Sequence, residues 1–244
     1  FFTSESIQHP AKANLEMLRF IIERYSNPGD LICDPMAGTF STAIIAGLLG
    51  RDAVGVEYEE KFYQMGLANK ERFDRLPTLT AKGRIQVLKG DARQLSKTLY
   101  GIATVKAEDN NTKSYLGEMK KVYGECFNVL KDGGKMILIS KNFVRKSKQI
   151  RLDLDTIRLC ESVGFKLSER WRRKLTNISF WQINYLQKWF KKKGAEMKGS
   201  PIEFAEKWNK THPEDPAPPA LHEDILVFEK PPASDLKTGV PRFL

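Results

Sequence analysis

The sequence has little cysteine or histidine, with three residues of each among 244. Cys33, Cys126 and Cys160 lie in separate apolar runs without metal-like spacing, which argues against a disulfide framework and a Cys-rich metal site. We therefore expect reduced core thiols in a cytosolic protein, and no bound metal. No apolar run is long enough to suggest a signal peptide or a membrane-spanning helix. Because the sequence begins at Phe1 rather than Met, we expect an N-terminal piece to be absent.

Acidic residues are scarce in one part of the chain. The whole sequence has 40 Lys and Arg against 30 Asp and Glu, whereas residues 141–198 alone have sixteen against five, a charge of +11. The remainder is close to neutral. Such a concentration of positive charge predicts a polyanionic partner, nucleic acid before a membrane surface. The alternative is the ion-pair-rich surface of a heat-adapted protein, and the sequence leaves it open.

The hydrophobic pattern alternates between strand and helix, as in one α/β domain with a small appendage. Helical spacing of Leu15, Leu18, Ile22 and Tyr25 begins the pattern. The further predicted elements are strand 31–34, helix 41–49, strand 53–57, helix 59–76, a strand from residue 85, helix 94–99, helix 112–130, strand 135–140, helix 151–162, and strands 165–173 and 224–228. The last two strands are expected to pair antiparallel, with 224–228 as a returning edge strand.

Three successive predicted strands end in an acid, namely Asp34, Glu57 and Asp91. Asp34 also begins a turn, residues 34–42, in which Pro and Gly precede a predicted helix. A strand, a tight turn and a helix N-terminus are typical of nucleotide-binding folds, in which an acid about 20 residues further on binds the ribose. Glu57 follows Asp34 by 23 residues. The pattern therefore predicts a nucleoside cofactor.

The alternation fails after Leu99, where a fourth strand is due. Residues 100–111 include Glu108, Asp109 and two asparagines, which are depleted in buried strands. The alternation of strands and helices resumes with helix 112–130, so a single strand is absent from an otherwise regular pattern.

The order of elements, with Asp34-Pro35-Met36-Ala37-Gly38, Glu57 and Gly90-Asp91-Ala92, resembles the S-adenosylmethionine-dependent amino-methyltransferases, the N4-cytosine/N6-adenine DNA methylase family. The resemblance extends from about residue 7 to residue 230. His9-Pro10-Ala11-Lys12 is similar to the family's N-terminal motif. The resemblance implies a Rossmann-like class I methyltransferase fold, α/β, with a mostly parallel seven-stranded sheet and an antiparallel terminal strand. It also implies S-adenosylmethionine as the cofactor.

The resemblance implies a role for each acid. Asp34 and the backbone after it would hold the methionine end, Glu57 the ribose hydroxyls and Asp91 the adenine amino group, all donors that a carboxylate accepts. Phe40 replaces the family's usual second glycine, so either the backbone approaches the cofactor differently or Phe40 turns into the core. The expected cofactor-binding residues are His9, Pro10, Lys12, Asp34, Pro35, Met36, Ala37, Gly38, Thr39, Phe40, Glu57, Tyr58, Asp91 and Ala92.

One motif of the family is missing. Its catalytic tetrapeptide, an Asp, Asn or Ser followed by Pro-Pro and an aromatic residue, does not occur in the 244 residues. Either the chain is a methyltransferase-like module without catalysis, or residues are missing from the sequence between about Lys97 and Tyr100, and we favour the second. Tyr100 would then be the catalytic aromatic that stacks on the base, in a loop with Gly101. An ordinary loop tyrosine is the alternative.

Basic and aromatic residues alternate at 170–174 and 189–193, which suits phosphate contacts and stacking on unpaired bases. Alternatively, the aromatic residues belong to the core and only the lysines are solvated. The expected nucleic-acid-binding residues are Arg170, Arg172, Arg173, Lys174, Trp181, Lys191, Lys192 and Lys193. We expect a cofactor-binding and catalytic core (1–170), a basic aromatic insertion (171–219), a closing strand of the core (220–230) and a tail (231–244).

The expected reaction is methylation of the exocyclic amine of a nucleobase, N4 of cytosine before N6 of adenine. The base must be unpaired or flipped out to reach a pocket. An insertion of about fifty residues is small for reading several base pairs, so structured RNA such as ribosomal RNA is slightly favoured over duplex DNA. A nucleic-acid-binding module without activity is a third hypothesis. The sequence does not indicate the oligomeric state.

Overall fold

The computed structural model describes residues 2–3, 14–78, 81–101, 114–145, 148–174, 180–217 and 222–235. These residues form two compact units, one ending at Val129 and the other beginning at Leu130. No helix in the described ranges has both the length and the apolar character needed to cross a bilayer. The boundaries predicted at residues 170 and 219 stay a prediction.

The first unit is a parallel sheet with helices between its strands. Its elements are α1 (Leu15–Tyr25), β1 (Leu31–Asp34), α2 (Ser41–Leu48), β2 (Asp52–Glu57), α3 (Glu60–Arg75), β3 (Ile85–Lys89), a 3₁₀ turn (Ala92–Gln94), α4 (Leu95–Tyr100) and α5 (Tyr115–Val129). The sheet has the order β1-β2-β3, and all pairs are parallel. Parallel strands place their carboxyl ends at one edge, so residues following β1, β2 and β3 meet there.

Local sequence explains where these helices begin and which face they bury. Asn14 caps α1 by accepting a hydrogen bond from the Met17 N–H, and Leu18 and Ile22 are buried one turn apart. The core of the unit also contains Phe40 and Phe73, both at most 2% exposed. Burying such aromatic side chains fixes α2 and α3 against the sheet.

The second unit is built on an antiparallel sheet. Its elements are β4 (Lys135–Lys141), β5 (Phe143–Arg145), β6 (Lys148–Ile150), α6 (Leu152–Ser162), β7 (Lys166–Lys174), α7 (Phe180–Lys192), α8 (Pro201–Thr211), β8 (His222–Glu229) and a 3₁₀ turn (Ala233–Asp235). The sheet order is β4-β8-β7, and β5 and β6 form a separate hairpin. β8 buries five successive residues, as expected for the central strand of a covered sheet.

The predicted antiparallel pairing of the last two strands is confirmed by β7 and β8. β8 is not an edge strand, however, because all of its residues after His222 also pair with β4. The sequence did not predict the β5–β6 hairpin or the helices α7 and α8, whose apolar residues are interrupted by lysines. The expected core thiols are confirmed only in part: Cys160 is buried, Cys126 is half-buried and Cys33 is exposed.

The fourth strand, which the sequence lacks, would fall near residues 102–113, outside the described residues. β1 bears on this question because its residues alternate between exposed and half-buried, and Leu31 is 65% exposed. By contrast, five of the six residues of β2 are buried. Within the described structure β1 therefore has the character of an edge strand.

Candidate functional site

Three carboxylates lie at the carboxyl edge of the parallel sheet. Asp34 ends β1, Glu57 ends β2, and Asp91 comes two residues after β3. The strand register places Asp34 beside Gly55 and Glu57 beside Lys89. The alignment that the sequence pattern predicted is thus present in the folded unit. Carboxylates at such an edge suit the hydroxyl and amino donors of a nucleoside.

Glu57 is the most buried of the three acids. Its side chain is 8% exposed, and its Oε2 accepts a hydrogen bond from the Gly38 N–H at 2.8 Å. Its Oε1 accepts from the Glu59 N–H at 2.7 Å. A carboxylate has about four acceptor positions, so each oxygen can still accept a further hydrogen bond. Glu57 therefore joins the turn after β1 to the start of α3 while it keeps acceptor capacity for a ligand.

Asp34 lies in an environment that disfavours its negative charge. Burial raises its pKa, the nearby Glu57 carboxylate raises it further, and hydrogen bonds from the Thr42 side chain and the Met36 N–H lower it. The Met36 N–H lies 3.2 Å from Oδ1. Two carboxylates that repel each other are stabilised by a nearby positive charge. This edge of the sheet is therefore suited to a ligand with a cationic group.

Asp91 is hydrogen-bonded by Arg93, two residues further along the chain. Its carboxylate accepts hydrogen bonds from the Arg93 guanidinium, with Oδ2 at 2.6 Å from one terminal nitrogen, and from the Arg93 N–H. The hydrogen bonds from the Arg93 side chain lower the pKa of Asp91. Arg93 also bonds Glu118 of α5 at 2.6 Å. A ligand amine at Asp91 would thus share a carboxylate that Arg93 already holds in place.

Phe40 decides the shape of the turn between β1 and α2. It adopts the left-handed region with φ 63°, which is uncommon for a bulky residue, and it is completely buried. Its ring lies against two glycines, since a Cβ at Gly55 or Gly66 would come within 2.4 Å or 2.1 Å of ring carbons. Of the two alternatives for Phe40, the structure shows the ring in the core. The missing side chains at Gly55 and Gly66 provide the space for it.

Asn69 lies in α3 and is a residue that the sequence analysis did not assign to the site. It is fully buried, its amide nitrogen donates to the Thr39 carbonyl at 3.0 Å, and its oxygen accepts from the Thr3 N–H at 2.9 Å. One side chain thus ties the turn after β1 to the N-terminal segment. A polar residue in a hydrophobic stripe was the signal that could have identified it, because a buried amide requires partners.

The other predicted cofactor residues differ in exposure. Met36 and Tyr58, which flank the acids, are 52% and 60% exposed. Ala37, Thr39 and Ala92 are buried, and Pro35 and Gly38 are half-buried. His9, Pro10 and Lys12 lie outside the described residues.

Tyr100 was expected in a loop, and this expectation is wrong. Tyr100 is the last residue of α4, and Gly101 ends the helix in the left-handed conformation with its N–H bonded to the Lys97 carbonyl. A glycine directly after a helix commonly has this role. The Tyr100 side chain is 58% exposed. The Glu125 carboxylate accepts from the Ser96 N–H at 2.8 Å and so fixes the start of the same helix.

Most of the predicted nucleic-acid-binding cations have acidic partners in the second unit. Arg170 contacts Asp153 and, at 2.8 Å, Asp224, and Arg172 lies 3.6 Å from Asp224. The remaining pairs are Arg173 with Glu223, Lys174 with Glu206 and Lys193 with Asp215. The charge count of residues 141–198 could not show these pairs, because most of the acids come later in the chain.

The aromatic residues of the same segment form a core between α7 and α8. Phe190 is completely buried, and its ring contacts those of Trp189, Phe204 and Trp208 edge to face. The hypothesis that Trp189 and Phe190 stack on bases is therefore wrong, and the alternative of core aromatic residues is confirmed for residues 189–193. It is not confirmed for residues 170–174, because Trp171 is 39% exposed. Trp181 belongs to α7, but its side chain lies outside the described structure, as do residues 175–179.

These observations define a fold class. A parallel β1-β2-β3 sheet followed by an antiparallel sheet with the order β4-β8-β7 is the Rossmann-like α/β fold of class I methyltransferases. A SAM-dependent methyltransferase of Methanosarcina mazei matches with a TM-score of 0.51 and 11% identity, covering 86% of this chain and 97% of that one. TYW2 of M. jannaschii, solved in complex with AdoMet, matches with a TM-score of 0.51 and 14% identity, covering 94% of this chain and 82% of that one. At these identities the likeness shows the fold.

Within that class, residues 3–70 match the DNA methylase family. The matched segment contains β1, the turn with Phe40, Glu57 and Asn69. The DNA adenine methyltransferase YhdJ of Escherichia coli is 34% identical over 97 residues, which are 40% of this chain and 32% of that protein. The chain thus spans about a third of the length of this curated relative.

Proposed function

We propose that the chain binds S-adenosylmethionine and transfers its methyl group to an exocyclic amine of a nucleobase in nucleic acid. The observation that carries the proposal is the alignment of Asp34, Glu57 and Asp91 at one edge of the parallel sheet. The first two of these acids lie in the segment that matches DNA methylases. When bound, S-adenosylmethionine supplies a methyl group on a positively charged sulfur.

The residues of this edge fit that cofactor. Glu57 has free acceptor capacity for ribose hydroxyls, whereas the adenine amino group would share the Asp91 carboxylate with Arg93. A cationic ligand would stabilise the charged form of Asp34, whose pKa is raised by burial. S-adenosylmethionine carries positive charge on both its ammonium and its sulfonium group. No side chain caps α2 at Phe40, so N–H groups at its start remain for the methionine carboxylate. Met36 and Tyr58 offer exposed apolar surface beside these groups.

The catalytic group that accepts the amine's hydrogen bonds is proposed to precede Tyr100, in residues missing from the sequence. The exposure of β1 supports this proposal, because the first strand of such a sheet is normally covered by the strand that carries the motif. Tyr100 stays the candidate for the stacking aromatic. An intact mass well above 27.9 kDa would support the missing residues, and a mass of 27.9 kDa would favour the binding module without activity.

We propose DNA as the substrate to test first. The family match and the printed name of the relative YhdJ favour DNA, and the latter favours N6 of adenine over N4 of cytosine. Structured RNA is the second candidate. The helices α7 and α8 are short, which makes this element small for reading several base pairs of a duplex, whereas a folded RNA presents an unpaired base by its shape.

The test is transfer of a radiolabelled methyl group from S-adenosylmethionine to genomic DNA and to total RNA in parallel, with nucleoside analysis of the product. N6-methyladenine or N4-methylcytosine in either polymer supports the proposal and decides the base. Label in RNA alone would replace DNA as the substrate. Label in neither, from a protein that binds the cofactor, would overturn the enzymatic proposal.

A further inference from the structure

The outer face of α7 differs from the other basic surfaces of the second unit. α7 contains no Asp or Glu, and Lys188, Lys191 and Lys192 are all exposed. Residues three and four positions apart lie on the same side of a helix, so the three ammonium groups form one face. None of the three has an ion-pair partner among the described residues.

This face is opposite the helix–helix core. Leu186 and Phe190, both fully buried, mark the side of α7 that packs against α8. At 100° per residue the three lysines lie on the opposite side of the helix. The aromatic cluster therefore packs on one side of α7, and the lysines on the other side are in solvent.

Five of the cations that the sequence pattern singled out are engaged within the protein, namely Arg170, Arg172, Arg173, Lys174 and Lys193. Arg170 is 25% exposed and bonds two buried acids, Asp153 and Asp224, so release from both to a ligand would be unfavourable. Arg173 and Lys174 also have carboxylate partners. Of the cations that the sequence pattern singled out, Lys191 and Lys192 are thus the two without an acidic partner in the described part of the chain, and both lie on α7.

We infer that the lysine face of α7, Lys188 with Lys191 and Lys192, is the surface on which the phosphate backbone of the nucleic-acid partner docks. The inference rests on the proposed function for the nature of the partner. It assigns phosphate contact to Lys188, which the sequence pattern did not single out, and structural ion pairing to the arginines of β7. Lysines of this kind position the polymer without reading its sequence.

A nucleic acid fits this face better than a lipid surface. Amphipathic helices that bind membranes insert an apolar side between the headgroups. The apolar side of α7 is already covered by α8, and residues 187, 188, 191 and 192 on the outer side are all polar. What remains is a purely electrostatic surface, which suits counterion release from a polyphosphate.

The test compares two double variants that each remove two charges. Lys191→Gln/Lys192→Gln alters the proposed face, whereas Lys207→Gln/Lys210→Gln alters two exposed lysines of α8 that share their helix with Glu203 and Glu206. Binding of a fluorescein-labelled 20-base-pair DNA is measured by anisotropy at several salt concentrations, without cofactor. We expect the α7 variant to bind about tenfold more weakly and to lower the salt slope by about 2, because each lost phosphate contact removes about 0.9. The α8 variant should bind within about twofold of wild type.

Charge and helix stability must be separated, since lysines in the last turn of a helix also stabilise it. Lys191→Arg/Lys192→Arg keeps the charge and is expected to restore both affinity and salt slope. Circular dichroism checks that each variant is folded, and Lys188→Gln alone should lower the slope by about 1.

The outcomes distinguish this inference from the proposed function. Equal losses in both double variants, or no loss in the α7 variant, would overturn the inference whatever the protein methylates. The inference would also be overturned, in favour of a lipid surface, if the protein bound phosphatidylserine vesicles and the α7 variant lost this binding while it kept DNA binding. A protein that fails methyl transfer but shows the expected difference would leave the docking face established and the enzymatic proposal wrong.

Discussion

Glu57 connects the cofactor turn to α3 through both of its carboxylate oxygens. Glu57→Gln should weaken binding of S-adenosylhomocysteine, because an amide has one acceptor oxygen and would place its NH₂ against the N–H of Gly38 or Glu59. Hydrogen bonds to a charged group contribute about 1.5–3 kcal/mol, so we expect a loss of about 10- to 100-fold by isothermal titration calorimetry.

Glu60→Gln is the matched control for this prediction. Glu60 lies three residues away at the start of α3, but it is exposed and bonds Lys89 and Gln64. Its replacement should change the affinity by less than about twofold, as for other exposed ion pairs. Equal affinities for wild type and Glu57→Gln would show that the carboxylate serves the turn and not the ligand.

Gly66 leaves room for the ring of Phe40. Gly66→Ala should destabilise the protein by about 1–3 kcal/mol, because the new Cβ would lie about 2 Å from a buried ring that has no free space to move into. Gly124→Ala, in the interior of α5 with no atom within 4 Å of its Cβ, should instead stabilise by up to about 1 kcal/mol. Urea unfolding of both variants measures the difference, and a Gly66→Ala protein as stable as wild type would contradict it.

The same residues show why the turn was only partly predictable. The Asp-Pro and Gly pattern is local, and it correctly indicated the strand, the turn and the helix. The conformation of Phe40 depends on Gly55 and Gly66, which lie 15 and 26 residues further along the chain. The local sequence shows that Phe40 replaces a glycine. It cannot show whether the ring turns into the core or the backbone approaches the cofactor differently, because the space for the ring is created by tertiary packing.

At the scale of the elements, a buried acid joins α6 to β7. Asp153 is fully buried and pairs with Arg151 and Arg170, while the half-buried Asp155 of the same helix is 3.8 Å from Arg158. Although burial alone would raise the pKa of Asp153, hydrogen bonds from Arg151, Arg170 and the Leu154 N–H lower it to about 2.

Asp153→Asn should therefore destabilise the protein at pH 7 by about 2–3 kcal/mol, less than for a completely buried pair because Arg151 is partly exposed. A folded-state pKa below the ordinary 3.8 contributes stability above about pH 4 that is lost as the pH falls towards 2. The difference between wild type and Asp153→Asn should shrink over that range. Asp155→Asn should stay within about 0.5 kcal/mol of wild type in urea unfolding, and a constant gap down to pH 2 would contradict the assigned pKa.

Element types followed from the sequence wherever apolar residues kept a regular period. The strands of the first unit and the β7–β8 pair were predicted to within a few residues. The first-unit strands and β8 each have an apolar run bounded by turn residues, whereas β7 was placed by the glycine turn at Gly164 that ends the preceding helix. α7 was missed because Trp189 and Phe190 stand next to three lysines, which suggested an exposed binding segment. Only the packing of α8 against them makes that stretch an amphipathic helix with a covered apolar side.

At the scale of the whole molecule, the charge counted along the sequence does not show where unpaired positive charge lies in the folded protein. The charge of +11 counted over residues 141–198 suggested one basic face, whereas the structure pairs Arg173 and Lys193 with acids that lie 50 and 22 residues further on. A net charge counted along the sequence sets solubility and long-range attraction. The position of a binding face depends on which cations remain unpaired after folding, and that requires the tertiary structure.

The two units should respond separately to the two proposed ligands, because the acids lie in one and the lysine face in the other. S-adenosylhomocysteine at about 100 times its dissociation constant should stabilise the protein by about 2.7 kcal/mol and slow hydrogen exchange around residues 34–42 and 57–59. A 20-base-pair DNA should reduce acetylation of Lys188, Lys191 and Lys192 but not of Lys207, as measured by mass spectrometry. If the DNA instead protected Lys207 and left the lysines of α7 reactive, the assignment of the ligands to these residues would be wrong.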